Sequence, residues 1–195
     1  MPNLALKTPL LVPLPATFPE YLEKATKRCR YEWRNSPAIE YREVAFDKSQ
    51  VAHWMHLWEA QPISGGYPRW RRYTPERCER LYEKGILHVF FADIALQMVE
   101  QCDNYVYCHP PLYDKKNPVA KAMWFALIRH HCGRADWLDL GGGQQKRWNE
   151  LKRSKHYKWL YVPKNIEMQP WKVQVCQCGW RELVCEPHAC RRCAS

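Results

Sequence analysis

Three apolar segments follow one another with almost nothing between them: ILHVFFA (86–92), ALQMVE (95–100) and NYVYCH (104–109). Their links, Asp93-Ile94 and then QCD, suit hairpins and are too short for a helical crossover. The segments therefore read as an antiparallel meander, and every other element has to be arranged around it.

Upstream, residues 1–19 contain an apolar run interrupted by Pro9, Pro13, Pro15 and Pro19, which reads as an extended arm. A helix is expected to open at Pro19 and run through PEYLEKATKRCRYEW, followed by a strand at AIEYREVAF (38–46). A second helix is expected at 47–61 with Asp47 as N-cap, its inward face formed by His53, Trp54, Leu57 and Trp58. TPERCERLYEKG signals a third, with Thr74 as N-cap, Pro75 at the first helical position and Gly85 just past the end. Downstream of the meander, PPLYDKK reads as a loop, and Asn117-Pro118 open a helix that Gly133 stops. DWLDL (136–140) is a strand, GGG a turn, QQKRWNELKRSK a short helix and HYKWLYVP (156–163) a last strand. The order β-α-α-β-β-β-α-β-α-β, behind one extra helix, predicts an α+β fold with a mixed, mostly antiparallel sheet and helices on both faces. The predicted organisation is an arm (1–19), one domain (20–169) and a cysteine-rich tail (170–195).

Apolar residues at 46% and aromatics at 13% are ample for a core and exclude global disorder. The N-terminal run is too short for a bilayer and lacks a basic n-region and a small-residue cleavage site, so a soluble cytoplasmic protein without a membrane partner is expected. Net charge is +10, and residues 144–195 hold eleven Lys and Arg against four Glu. A basic C-terminal third fits a polyanionic partner such as nucleic acid, a charged cofactor or an acidic surface; a solvated face kept for solubility is the alternative.

Ten cysteines without a secretory signature point to thiols rather than a disulfide scaffold. Cys29, Cys78, Cys102, Cys108 and Cys132 are scattered and read as small buried hydrophobes. The other five crowd into VCQCGWRELVCEPHACRRC (175–193). There Cys176-x-Cys178 and Cys190-x-x-Cys193 form two close pairs, with Cys185 and His188 between them. Four soft ligands on two short turns, with Gly179 suiting the first, make a structural zinc site in which Cys185 or His188 could replace one ligand; unligated thiols are the alternative. Arg181, Arg191 and Arg192 surround the site, so the knuckle could also touch phosphates.

Two loops are candidate anion sites. Gly141, Gly142 and Gly143 lead from a strand into a helix, yet match neither a P-loop nor a dinucleotide fingerprint, and a sharp turn needing positive φ is the stronger reading. Lys115 and Lys116, with Asn117, stand at the mouth of a helix whose first N–H groups are free, a candidate diphosphate site or else a solvated loop.

The element order over 38–163 is similar to the GNAT acyltransferase fold. The run AKAMWFALIRHHCGRADWLDLGGG (120–143) through NELKRSK (149–155) resembles the Fem-type aminoacyltransferase-like branch of that superfamily. Gly133, Asp139, Leu140, Gly141, Gly142 and Leu151-Lys152 stand where such proteins carry a helix-ending glycine, D-L-G-G and F-K. The resemblance implies N-acyl transfer from a thioester or aminoacyl donor to an amine. The donor would lie where strands 104–109 and 136–140 run parallel and splay, with its pyrophosphate at Lys115, Lys116 and Asn117. KKNPVA lacks the glycines of the usual coenzyme A loop, which counts against coenzyme A and leaves the implied donor open between acyl-CoA and another acyl donor. A non-enzymatic, zinc-containing nucleic-acid binder is the second expectation.

Amine acylation needs a base and oxyanion donors. Asp139 shares a strand face with Trp137 and precedes the glycines, so it is used or capped there. His109 ends the preceding strand and brings a near-neutral pKa. Lys152 could bind an acidic group of donor or acceptor, and Tyr107 could donate to an oxyanion.

Overall fold

The computed structural model describes residues 5–7, 11–59, 74–92, 95–109, 111–113, 119–139, 172–184, 189–190 and 193, and the meander is its centre. Strands β4 (Leu87–Ala92), β5 (Ala95–Cys102) and β6 (Tyr105–Cys108) pair antiparallel, with Val89 opposite Met98 and Val99 opposite Cys108. The turn between β5 and β6 is Asp103-Asn104, and Asp103 takes φ 52°, a left-handed conformation that Asp tolerates through local hydrogen bonding. β5 is buried on both faces apart from partly covered Gln101, which marks it as the middle of the sheet.

Around this centre the sheet is mixed. β3 (Arg42–Val44) pairs antiparallel with β4 at one edge, while β8 (Trp137–Asp139) runs parallel to β6. β2 (Leu11–Pro13) closes the other edge antiparallel to β8, giving the order β2-β8-β6-β5-β4-β3. A two-residue strand, β7 (Leu112–Tyr113), pairs with the start of β5 inside the stretch expected as a loop. The strand expected over 38–46 pairs only at 42–44, and residues 38–41 leave the sheet edge.

The helix expected from Pro19 is two helices, α1 (Phe18–Lys24) and α2 (Lys27–Arg34). Ala25 is extended at ψ 155°, and the Thr26 hydroxyl restarts the helix by accepting from the Cys29 N–H at 3.1 Å. The apolar spacing runs unbroken across this cap because Phe18, Tyr21, Ala25 and Cys29 all enter one cluster. α3 (Lys48–Glu59) and α4 (Pro75–Glu83) start where expected: Asp47 accepts from the Gln50 N–H at 3.0 Å and Thr74 from the Arg77 N–H at 3.3 Å. The inward face of α3 is a correction, since Val51 and Met55 are buried, Trp54 is partly covered and His53 is exposed. α5 (Ala120–His131) crosses over from β6 to β8.

The helices divide between the two faces of the sheet. α1, α2 and α5 cover the face carrying Val12, Phe90, Val99, Val106 and Leu138. α3 and α4 cover Val89, Leu96, Met98 and Cys102 on the other. The rest of that second face, over β6, β8 and β2, is met by a three-stranded sheet of β1 (Ala5–Lys7), β9 (Lys172–Val175) and β10 (Arg181–Val184). Val173 of β9 is buried there with Leu11 and Tyr105. The arm is thus extended at 5–7 and 11–13, and each piece is hydrogen-bonded into a different sheet. The helix and strand expected over 144–163 lie outside the described residues. No described helix is long and apolar enough to cross a membrane.

Candidate metal centre and the polar cluster beneath it

β9 and β10 form a hairpin with Val175 opposite Arg181, and the five-residue turn between them is a metal knuckle in outline. The Cys176 N–H donates to the Trp180 carbonyl at 2.9 Å and the Gly179 N–H to the Cys176 carbonyl at 3.0 Å. Gly179 takes φ 96°, and a Cβ at that position would lie 2.4 Å from Leu81 Cδ2. The positive φ is what favours glycine here, and the missing Cβ also leaves room for the end of the Leu81 side chain of α4. A second tight turn supplies the other pair, closed by the Cys193 N–H donating to the Cys190 carbonyl at 3.0 Å.

The sulfurs of Cys176, Cys178, Cys190 and Cys193 all lie within 4.8 Å of one another. Cys176 and Cys193 are 3.5 Å apart and Cys178 and Cys190 are 3.8 Å apart. A disulfide requires about 2.05 Å, so these are separate thiols. A tetrahedral zinc with bonds of about 2.3 Å sets its sulfurs roughly 3.8 Å apart, so the group is of a size to hold a metal such as zinc. The alternates Cys185 and His188 lie outside the described residues. The scattered thiols behave differently. Cys29, Cys78, Cys102 and Cys108 are buried, and burial pushes Cys78 and Cys102 up to about 12, which leaves them protonated and inert.

Immediately after the knuckle, Arg181 turns into the main sheet. Its Nε donates to Glu100 Oε2 at 2.5 Å and Nη2 to Oε1 at 3.4 Å, with the guanidinium 4.0 Å from the centroid of the Tyr107 ring. His109 Nε2 lies 2.9 Å from Glu100 Oε1. Glu100, His109 and Arg181 are 1%, 2% and 3% exposed. Burial pushes the Glu100 carboxyl up, but the His109 hydrogen bond and the Arg181 charge outweigh it and bring the group down to about 2. Burial lowers His109, against the pull of Glu100, so the imidazole is neutral near pH 7. A neutral ring facing an ionised carboxylate must donate, which puts the proton on Nε2.

Beside this cluster the Tyr105 hydroxyl donates to Asp139 Oδ2 at 2.5 Å, and Asp139 is 4% exposed. Burial, then the Asp139 charge, drives the Tyr105 phenol well above its ordinary value. The parallel register sets Tyr107 opposite Asp139, so Tyr107, His109 and Asp139 share one face at the carboxyl ends of β6 and β8. Three of the expected site residues are thereby brought together, with His109 and Asp139 buried and Tyr107 half-buried. Lys115, Lys116, Asn117, Gly141, Gly142 and Lys152 lie outside the described residues. α5 begins nearby at Val119, which supplies no side-chain cap, and the first intrahelical bond runs from the Met123 N–H to the Val119 carbonyl. Its first N–H groups therefore have no acceptor within the helix.

Sequence alone did not single out Glu100 or Tyr105, and Arg181, expected at the knuckle surface for phosphate, is instead buried against Glu100, while Arg191 and Arg192 lie outside the described residues. One signal existed: Glu100 occupies an inward position in the apolar run ALQMVE, where an ionised group needs a partner. That partner is 81 residues away in sequence, in the tail. No family model matches the chain, and no curated protein or solved structure is significantly similar to it.

Proposed function

We propose that this chain is an N-acyltransferase, moving an acyl or aminoacyl group from a thioester or aminoacyl donor to an amine, with a structural zinc in its tail. The observation that carries this reading is the parallel pair of β6 with β8, the one such pair among the described residues, joined by the crossover helix α5. Where parallel strands point their carboxyl ends the same way, next to the start of the connecting helix, a ligand meets strand ends and free N–H groups together. Tyr107, His109 and Asp139 stand at those ends, and the N–H groups of Ala120, Lys121 and Ala122 supply the anion-facing side.

On this reading His109, neutral with its proton on Nε2 toward Glu100, takes the proton from the attacking amine on Nδ1, Asp139 orients the acceptor, and Tyr107 donates to the oxyanion. Cys176, Cys178, Cys190 and Cys193 hold the zinc, which fixes the tail and takes no part in transfer. Incubating the protein with acyl-CoA or charged-tRNA donors and amine acceptors, and reading the acceptor's mass, tests the assignment. Product that disappears with Asp139→Asn, while the melting transition persists, supports it. No product with any donor class, alongside salt-dependent nucleic-acid binding, favours the second reading, which rests on the basic balance of residues 144–195.

A further inference from the structure

We propose that the cleft between α2 and α5, on the opposite side of the sheet from the metal centre, binds a nucleoside phosphate. The cleft has a volume of about 590 Å³, within the range of small-molecule sites. It exists because residues 38–41 leave the sheet edge and form a wall facing α5. This inference does not depend on acyl transfer: it uses neither the strand ends of β6 and β8 nor the first N–H groups of α5.

Three features decide the ligand. The floor is small and apolar, since Ala122 and Ala126, one helical turn apart on α5, leave room against the helix. The wall is aromatic and braced. Trp33 is packed edge-on by Phe18 and Phe125 at centroid distances of 4.9 and 5.4 Å. Tyr41 stacks on Phe90 at 4.8 Å while its hydroxyl donates to Gln97 at 3.3 Å. The mouth is cationic: Arg34, Arg129 and Arg134 line it, and among the described residues no Asp or Glu does.

That positive charge is not compensated locally. Arg34 donates through Nε to the Arg30 carbonyl at 3.3 Å, and Arg134 donates through Nη1 to His130 Nε2 at 2.7 Å. Both acceptors are neutral, because burial and then Arg134 lower the His130 pKa. Arg129 has no partner among the described residues. Nearby carboxylates are already engaged, Glu32 by Lys121 at 2.6 Å and Glu43 by His88 at 2.7 Å. Guanidinium groups around a concave site match the oxygens of a phosphate, and a flat wall over a small floor matches a base. Inorganic phosphate would leave the aromatic wall unused, and an uncharged nucleoside would leave three guanidinium groups unmatched.

Calorimetric titration of the full chain with AMP and ADP at low salt, beside adenosine, inorganic phosphate and a short single-stranded oligonucleotide, tests the assignment. The nucleotides should bind about tenfold or more tighter than either fragment. The exposed Arg129→Glu and the floor-filling Ala126→Leu should each weaken nucleotide binding about tenfold with the Arg129→Glu melting transition unchanged. The assignment is overturned if free nucleotides do not bind, if phosphate alone binds as well, if only the oligonucleotide binds, or if Arg129→Glu leaves the affinity intact. Loss of acyl transfer in an Asp139 variant that still binds AMP keeps the two proposals separate.

Discussion

His131 is the residue most at odds with its surroundings. It is 1% exposed, neither ring nitrogen has a hydrogen-bond partner among the described residues, and the rings of Phe90 and His130 lie against it. Burial, then the charges of His130 and Arg134, lower its pKa to about 3. The unfolded chain takes up a proton near pH 6.5 that the folded chain refuses until about pH 3. Stability is therefore complete above that unfolded value and falls by about 1.4 kcal/mol per pH unit between the two. His109 and His130 pull the same way, and Glu100 adds its loss as pH falls from its usual range through about 2. Urea unfolding should show a lower midpoint at pH 5 than at pH 7.5. His131→Leu should flatten that dependence without costing stability at neutral pH, because it removes polar atoms that have no partner. An unchanged pH profile in His131→Leu would remove His131 from the account. Nothing in the sequence separated His131 from His130 beside it; burial did.

Among the elements, the chain announces starts better than interruptions. Asp47 and Thr74 are caps whose hydrogen bonds reach only three residues ahead, so the residues that make them are neighbours in the sequence. Thr26 is the same device but sits inside an unbroken apolar rhythm, and periodicity hid it. β3 shortened because it is an edge strand, with Arg42 and Glu43 exposed and β4 its one partner among the described residues. The knuckle glycine gives the sharpest test at this scale. Gly179→Ala would force a methyl group against Leu81 and strain a positive φ, which should cost about 1–3 kcal/mol. Denaturation midpoint and bound metal per chain should fall together. A variant with wild-type stability and metal content would show that the turn is not held as described. Gly179 was legible as a turn residue, but its contact with α4 was not.

At the largest scale, the described residues form a seven-stranded sheet covered on one face by helices and on the other by helices plus the three-stranded sheet that carries the cysteine hairpin. Arg181 ties that hairpin to the sheet through a buried pair, and losing one partner of such a pair is strongly destabilising because the other charge stays buried. A metal held by Cys176, Cys178, Cys190 and Cys193 should therefore act on the stability of the sheet itself. A strong chelator should lower the melting temperature by about 10 °C or more, and zinc should restore it. Hydrogen exchange should rise first in β9 and β10 and then in β6, on which the hairpin rests. A chelated protein that melts as before, with β6 still protected, would reduce the tail to an independent appendage.

The division between sequence and structure follows contact distance along the chain. Caps, turn glycines, the meander and the paired cysteines are settled by groups a few residues apart, and the amino-acid order determined them. The partners of the buried charges are not local: Arg181 reaches back 81 residues to Glu100, and Asp139 reaches back 34 to Tyr105. Placing the arm in two sheets, covering Tyr107, His109 and Asp139, and opening a cationic cleft beside α5 required the whole sheet to form. Hydrophobic periodicity specifies which face of a strand or helix turns inward, but it carries no information about which distant segment will cover that face. Tertiary packing made that choice, and with it the setting of every candidate site.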